Sequence, residues 1–296
     1  VERLKELLGK LKSKRNFQNK RSLFLIFFLV STLAITVGLV IGKESIDLRT
    51  KAKEEALVSS YIDQLTGNVY QSRQAAEELL EKPDIYVPYL LNILQKEKSD
   101  ELKGQIIFLL GKSGSSDAVL QLVKALEDNN SYIRKNSAQA LGQIKGASQN
   151  RSSLDALAKS LADESEGVRM NAALSLGKLG NSASTKSLLD RLSKEKSIGV
   201  KIAIVSSLGK LKDKTASQRL ISELNLADIS KDYQDEIIIT LGKIKDSLAL
   251  PILNAKLKLT QQMIKQAKAQ KEDALIIGQL EITQSLLETA IGNINK

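Results

Sequence analysis

The pair Leu-Gly returns at nearly constant intervals, at Leu110-Gly111, Leu141-Gly142, Leu176-Gly177, Leu208-Gly209 and Leu241-Gly242, in steps of 31, 35, 32 and 33 residues. A period in this range means one supersecondary unit per repeat, each unable to bury its apolar face alone. Two further markers keep the same register. A leucine stands 15 to 17 residues before each pair, at Leu94, Leu126, Leu161, Leu192 and Leu224. Eight residues before each pair comes an apolar residue followed by a long polar one: Leu102-Lys103, Ile133-Arg134, Val168-Arg169, Val200-Lys201 and Tyr233-Gln234.

Within a unit, Val119, Leu122, Val123 and Leu126 follow the i, i+3, i+4, i+7 spacing of one helix face. A second apolar stretch, such as Val168, Ala172, Leu174, Leu176 and Leu179, is rich in small residues, so each unit reads as a helical hairpin. Turn residues agree: Gly114, Asn129-Asn130, Gly146, Gly180-Asn181 and Lys212-Asp213 fall between the expected helices. Pro88 and Pro251 are expected in the first turns of first helices, where a missing N–H is harmless. The glycine of each Leu-Gly is expected near a helix end, followed by Lys112, Lys178, Lys210 or Lys243 at the negative end of the dipole. With 4 % aromatics, no Trp and three Pro, the chain is expected to be all-α.

The consensus resembles the HEAT repeat, and more narrowly the short bacterial HEAT-like repeats of the phycobilin-lyase type. The residues that carry the resemblance are Asp128 with Ile133-Arg134, and Asp163 with Val168-Arg169, Ala172-Ala173 and Leu176-Gly177. It covers roughly residues 84–244 and fades where Lys96 and Lys194 replace the Asp and Tyr233-Gln234 replaces Val-Arg. The resemblance implies a right-handed α-solenoid of stacked antiparallel helix pairs that binds proteins rather than catalyses. It also implies that Arg134 and Arg169, with Lys103 and Lys201, pair with acids near the inter-helix turns (Asp128 and Asp163) as a structural ladder bracing successive repeats.

Ahead of the repeats, residues 23–42 carry no charge, and their Leu, Phe, Ile and Val are interrupted only by Ser31, Thr32, Ala34, Thr36, Gly38 and Gly42. Twenty residues at helical rise span about 30 Å, the thickness of a bilayer core, so a single transmembrane helix is expected there. The run is too long for a signal-peptide core and ends Val-Ile-Gly-Lys-Glu, without a small-residue cleavage site. Five cations between Lys12 and Arg21 put the N-terminus in the cytoplasm and the solenoid in a periplasm or lumen. Leu4, Leu7, Leu8 and Leu11 could lay residues 2–12 along the anionic leaflet, although a plain basic flank explains them as well.

That flank also accounts for most of the formal charge. In residues 1–22, eight cations against Glu2 and Glu6 give +6, leaving only +4 of the total +10 after residue 42, which disfavours nucleic acid. No Cys and no His are present, removing thiolate chemistry and the commonest general base. Gly111-Lys112-Ser113 lacks the strand and first glycine of a phosphate loop, and Glu77-Glu78 and Asp235-Glu236 read as solvated charge. No catalytic residue, cofactor or metal is expected.

The domain plan is therefore a basic cytoplasmic segment (1–22), a membrane helix (23–42), a helical connector and cap (43–82), about five HEAT-like repeats (83–246) and a long C-terminal hairpin (247–296). In that hairpin Leu257 precedes Ile291-Gly292 by 34 residues, so its helices are longer. Lys256, Lys258, Lys265 and Lys268 crowd its first helix and are candidates for partner binding, whether the hairpin caps the stack or projects from it. The function expected is a membrane-anchored scaffold or adaptor for protein partners in a membrane complex, with a tetrapyrrole (bilin) lyase or chaperone as the alternative.

Overall fold

The computed structural model describes residues 20–226 and 229–296; in its first helix the side chains of residues 20–31, 33–35, 38, 41 and 42 also lie outside the described residues. Among the described residues there is no strand. Two compact units divide the chain, residues 1–60 and 61–296.

The first unit is described through α1 (Lys20–Leu65), a helix of 46 residues whose last few belong to the second unit. Among the described residues no helix is long and apolar enough to cross a membrane. The span expected at 23–42 has most of its side chains outside the described residues, and the expected amphipathic segment 2–12 lies wholly outside them.

The second unit opens with a turn at Gly67 and Asn68. Asn68 caps α2 (Val69–Glu81): the N–H of Gln71 donates to Asn68 Oδ1 at 3.0 Å and the N–H of Asn68 donates to Gln71 Oε1 at 3.2 Å. Six helix pairs follow: α3 (Pro83–Lys96) with α4 (Asp100–Ser113), α5 (Val119–Ala125) with α6 (Ser131–Leu141), α7 (Arg151–Ser160) with α8 (Glu166–Leu179), α9 (Thr185–Leu192) with α10 (Ile198–Leu211), α11 (Ser217–Leu224) with α12 (Lys231–Ile244), and α13 (Leu250–Gln270) with α14 (Ala274–Ile294). It is a repeat solenoid. The pattern leucines Leu126, Leu161, Leu192 and Leu224 are all buried, as are Leu110, Leu141, Leu176, Leu208 and Leu241.

Two readings of local sequence are corrected. Pro88 lies inside α3, because the helix starts five residues earlier with Pro83 in its first turn; Pro251 does lie in the first turn of α13. The glycines of Leu-Gly act less as terminators than as close crossings. Left-handed caps come later, at Gly114, Gly180, Lys212 and Lys245, with φ of 67°, 70°, 55° and 59°.

Each second helix packs on the next one, from α4 through to α14, and the motif glycine marks the point of closest approach. A Cβ on Gly111 would stand 2.8 Å from Ala140 Cα, on Gly142 2.8 Å from Ser175 Cα, on Gly177 2.7 Å from Ser207 Cα, on Gly209 2.9 Å from Thr240 Oγ1, and on Gly242 2.8 Å from Ala290 Cα. Ala140, Ser175, Ser207, Thr240 and Ala290 each stand immediately before the next motif leucine or isoleucine. The operative unit is thus small–Leu–Gly, with each glycine receiving the small residue of the following repeat. Two of these residues also bond across the crossing: Ser175 Oγ donates to the Ala138 carbonyl at 2.7 Å and Thr240 Oγ1 to that of Val205 at 3.1 Å.

The long C-terminal hairpin joins this scheme. Its Ala290 fills the Gly242 notch, but Gly292 has nothing within 4 Å of its added Cβ. Four residues before each motif glycine stand Ile107, Ala138, Ala173, Val205 and Ile238, all fully buried, whereas the counterpart in α14 is the exposed Glu288. A charge stands there in place of the apolar residue of the earlier repeats. The opposite end of the hairpin exposes Leu259, Met263, Leu275, Ile276 and Ile282.

Candidate functional site

Carboxylates in the turns between paired helices meet cations from the preceding repeat. Lys103 approaches Asp128 at 3.6 Å. Arg134 grips Asp163 with both arms, at 2.8 and 2.9 Å, while its remaining nitrogen donates to the carbonyls of Asp128 and Asn129 at 3.0 Å each. Arg169 grips Glu195 at 2.9 and 3.1 Å and donates to the carbonyls of Asp163 and Glu164. Lys201 stands 3.9 Å from Glu223 and over the ring of Tyr233. Each cation therefore joins its own turn by backbone carbonyls or helix position, and the next turn by charge. The bidentate geometry is what an arginine fork supplies and a lysine does not.

The acids are fixed before the cation arrives. Asp128 Oδ1 accepts from the N–H of Asn130 and Asp163 Oδ1 from that of Ser165, both at 2.8 Å. Lys194 does not replace the Asp, because Glu195 stands five residues before Val200 as Asp163 does before Val168; Glu195 does the same work, accepting from the N–H groups of Lys196 and Ser197 at 2.9 Å and also from Arg191. Burial pushes the Glu195 carboxyl up, but Arg169, the Ser197 N–H and Arg191 outweigh it and hold the group at about 2. Asp163 is likewise held low, burial being outweighed by Arg134 and the Ser165 N–H. At the last joint the Tyr233 hydroxyl donates to Glu223 at 2.9 Å; burial first, then that bond, raises the phenol's pKa. Sequence reasoning missed Glu195, which a count back from Val200 would have found, and Glu223, which reaches the joint from inside α11.

The four lysines of α13 do not converge. Lys258 and Lys265 lie two turns apart on one face and are exposed, and Lys268 is bonded to Glu281 at 2.8 Å. Lys256 falls about 160° round the helix from Lys258 and is partly buried, which lowers its pKa.

A recess near the start of the stack was not anticipated. A cavity of about 630 Å³ opens between α2, α4 and α6, lined by Val69, Gln105, Phe108, Leu109, Tyr132 and Asn136 among others. Its origin is a break in the crossing rule. The residue before Leu110 is Leu109, not a small one, and α2 meets α4 far more sparsely than any second helix meets the next. Among the described residues no group of His, Cys, Asp and Glu is placed to hold a metal ion.

A family profile described as HEAT repeats matches residues 87–149 and again 146–208. Together the two matches cover residues 87–208 of the 296. Solved structures share the fold at low identity. The Escherichia coli protein YibA is 20 % identical, with a TM-score of 0.52 over 81 % of this chain and 82 % of its own. Yeast importin-beta is 15 % identical, with a TM-score of 0.50 over 81 % of this chain and 34 % of its own, so the chain spans about a third of that protein. The complex of two phycocyanin lyase subunits from Nostoc matches with 18 % identity over 79 % of this chain and 94 % of its own, but the TM-score of 0.44 is too loose to carry the bilin alternative. No protein of curated function matches the sequence.

Proposed function

We propose that this HEAT-repeat chain is a membrane-anchored scaffold that binds protein partners, as a subunit or assembly factor of a membrane-associated complex. Residues 23–42 form the anchor, the N-terminus faces the cytoplasm, and the repeats stand in a periplasm or lumen. The observation that carries the binding role is the unbroken stack of second helices from α4 to α14, which sets rows of side chains at repeat spacing. The anchor rests on twenty uncharged residues behind a basic flank. Binding rather than catalysis is the work of the chain, and the +4 left after residue 42 favours protein over nucleic acid.

Membranes carrying the protein are washed with alkaline carbonate, extracted in mild detergent and the complex sized after light cross-linking. The proposal expects the chain to stay in the membrane pellet and then to migrate with a defined partner. Release by carbonate refutes the anchor, and a lone chain under every mild condition refutes the scaffold.

A further inference from the structure

We infer that the groove between α2, α4 and α6 seats an extended, uncharged segment of a partner protein, anchored by one apolar or aromatic side chain; this rests on the scaffold reading above. Phe108 and Tyr132 stand in its wall with 46 % and 44 % of their surface exposed, and Val69 at its edge is 88 % exposed. An aromatic-walled recess of this size accepts one large side chain with its neighbours. Gly104 is what lets Tyr132 lie flat there, since a Cβ at that position would stand 2.4 Å from the ring.

The polar groups fit a peptide backbone. Gln105 Oε1 is buried with no hydrogen-bond partner, an acceptor costly to leave unmet and suited to a backbone N–H. The position six before the motif glycine carries a carboxamide in three consecutive repeats, Gln105, Asn136 and Asn171. Gln105 and Asn136 line the recess, whereas the amide of Asn171 already donates to the Lys135 carbonyl at 3.1 Å. Adjacent helices lie about 8–10 Å apart, close to the rise of three residues of extended chain at about 3.3 Å each, so successive amides meet the backbone in a constant phase. Of the charges around it, Arg73 at the rim is held by Glu77 at 2.9 Å, and Lys112 and Lys135 stand over the rings of Phe108 and Tyr132.

A phage-displayed library of random twelve-residue peptides is panned against the full chain in detergent, and the enriched peptides are measured by fluorescence anisotropy. The inference expects enriched sequences to share one apolar or aromatic position within uncharged neighbours. Asn136→Trp, which fills the groove, should weaken their binding at least tenfold, and Gln105→Leu, which removes the acceptor, about tenfold. N-methylation of the anchor residue's amide should match the loss in Gln105→Leu. Should Asn136→Trp fold poorly, the Gln105→Leu and N-methyl pair decides alone. No enrichment, enrichment of charged sequences, or equal binding by the variants overturns the groove. Retention of the native membrane partner by Gln105→Leu and Asn136→Trp alike would overturn it too, leaving the scaffold reading intact.

Discussion

The crossings from α4 to α14 and the junction of α2 with α4 solve the same packing problem differently. In the first, glycine meets a small residue and the helices close to backbone contact; in the second, Leu109 occupies the small residue's place and a cavity of about 630 Å³ is left. Close crossings yield area for contact along rows, whereas the open junction yields depth. The junction departs on both sides, since α2 has no glycine to receive a small residue and α4 offers Leu109 in its place.

Several substitutions break or sharpen that contrast. The largest loss is expected for Glu195→Ala, which strands Arg169 and Arg191 at a closed joint and should cost about 3–5 kcal/mol in denaturant unfolding. Gly142→Ala, which drives a Cβ to within 2.8 Å of Ser175 Cα, should cost about 1–3 kcal/mol. Acid gives a graded version of the first effect. Glu195 falls from 4.5 to about 2 on folding, so its contribution is whole above pH 4.5 and lost as pH drops towards 2; Glu195→Gln should flatten the fall in melting temperature across that window. The smallest effect is a gain: Lys212→Gly relieves a left-handed residue with φ of 55° and should stabilise by up to about 1 kcal/mol.

The repeat period, the paired helices and the ladder cations were legible in the sequence because each depends on short-range spacing. Arg134 and Arg169 stand out as long polar residues at a fixed offset from Leu-Gly. Asp163 was legible as a ladder acid, but its pairing with Arg134 of the preceding repeat was not, and Glu195 was passed over because counting from Leu192 lands on Lys194 while counting from Val200 lands on Glu195. The role of the motif glycines was also hidden, since helix ends and helix crossings both favour glycine. The small residue before each leucine was the available signal, and Leu109 is where it fails; Glu288 breaks a different position, the buried one four residues before the glycine. The lysines of α13 looked like a cluster along the chain, but helical geometry turns Lys256 away from Lys258 and Lys265.

The claim on which the account rests is that glycines of one motif differ in cost according to whether another repeat sits on them. Thermal unfolding of Gly177→Val beside Gly292→Val tests it directly. The account predicts a clear drop in melting temperature for Gly177→Val, whose Cβ would meet Ser207 Cα at 2.7 Å, and little change for Gly292→Val, which meets nothing. Equal effects at the two positions would contradict it.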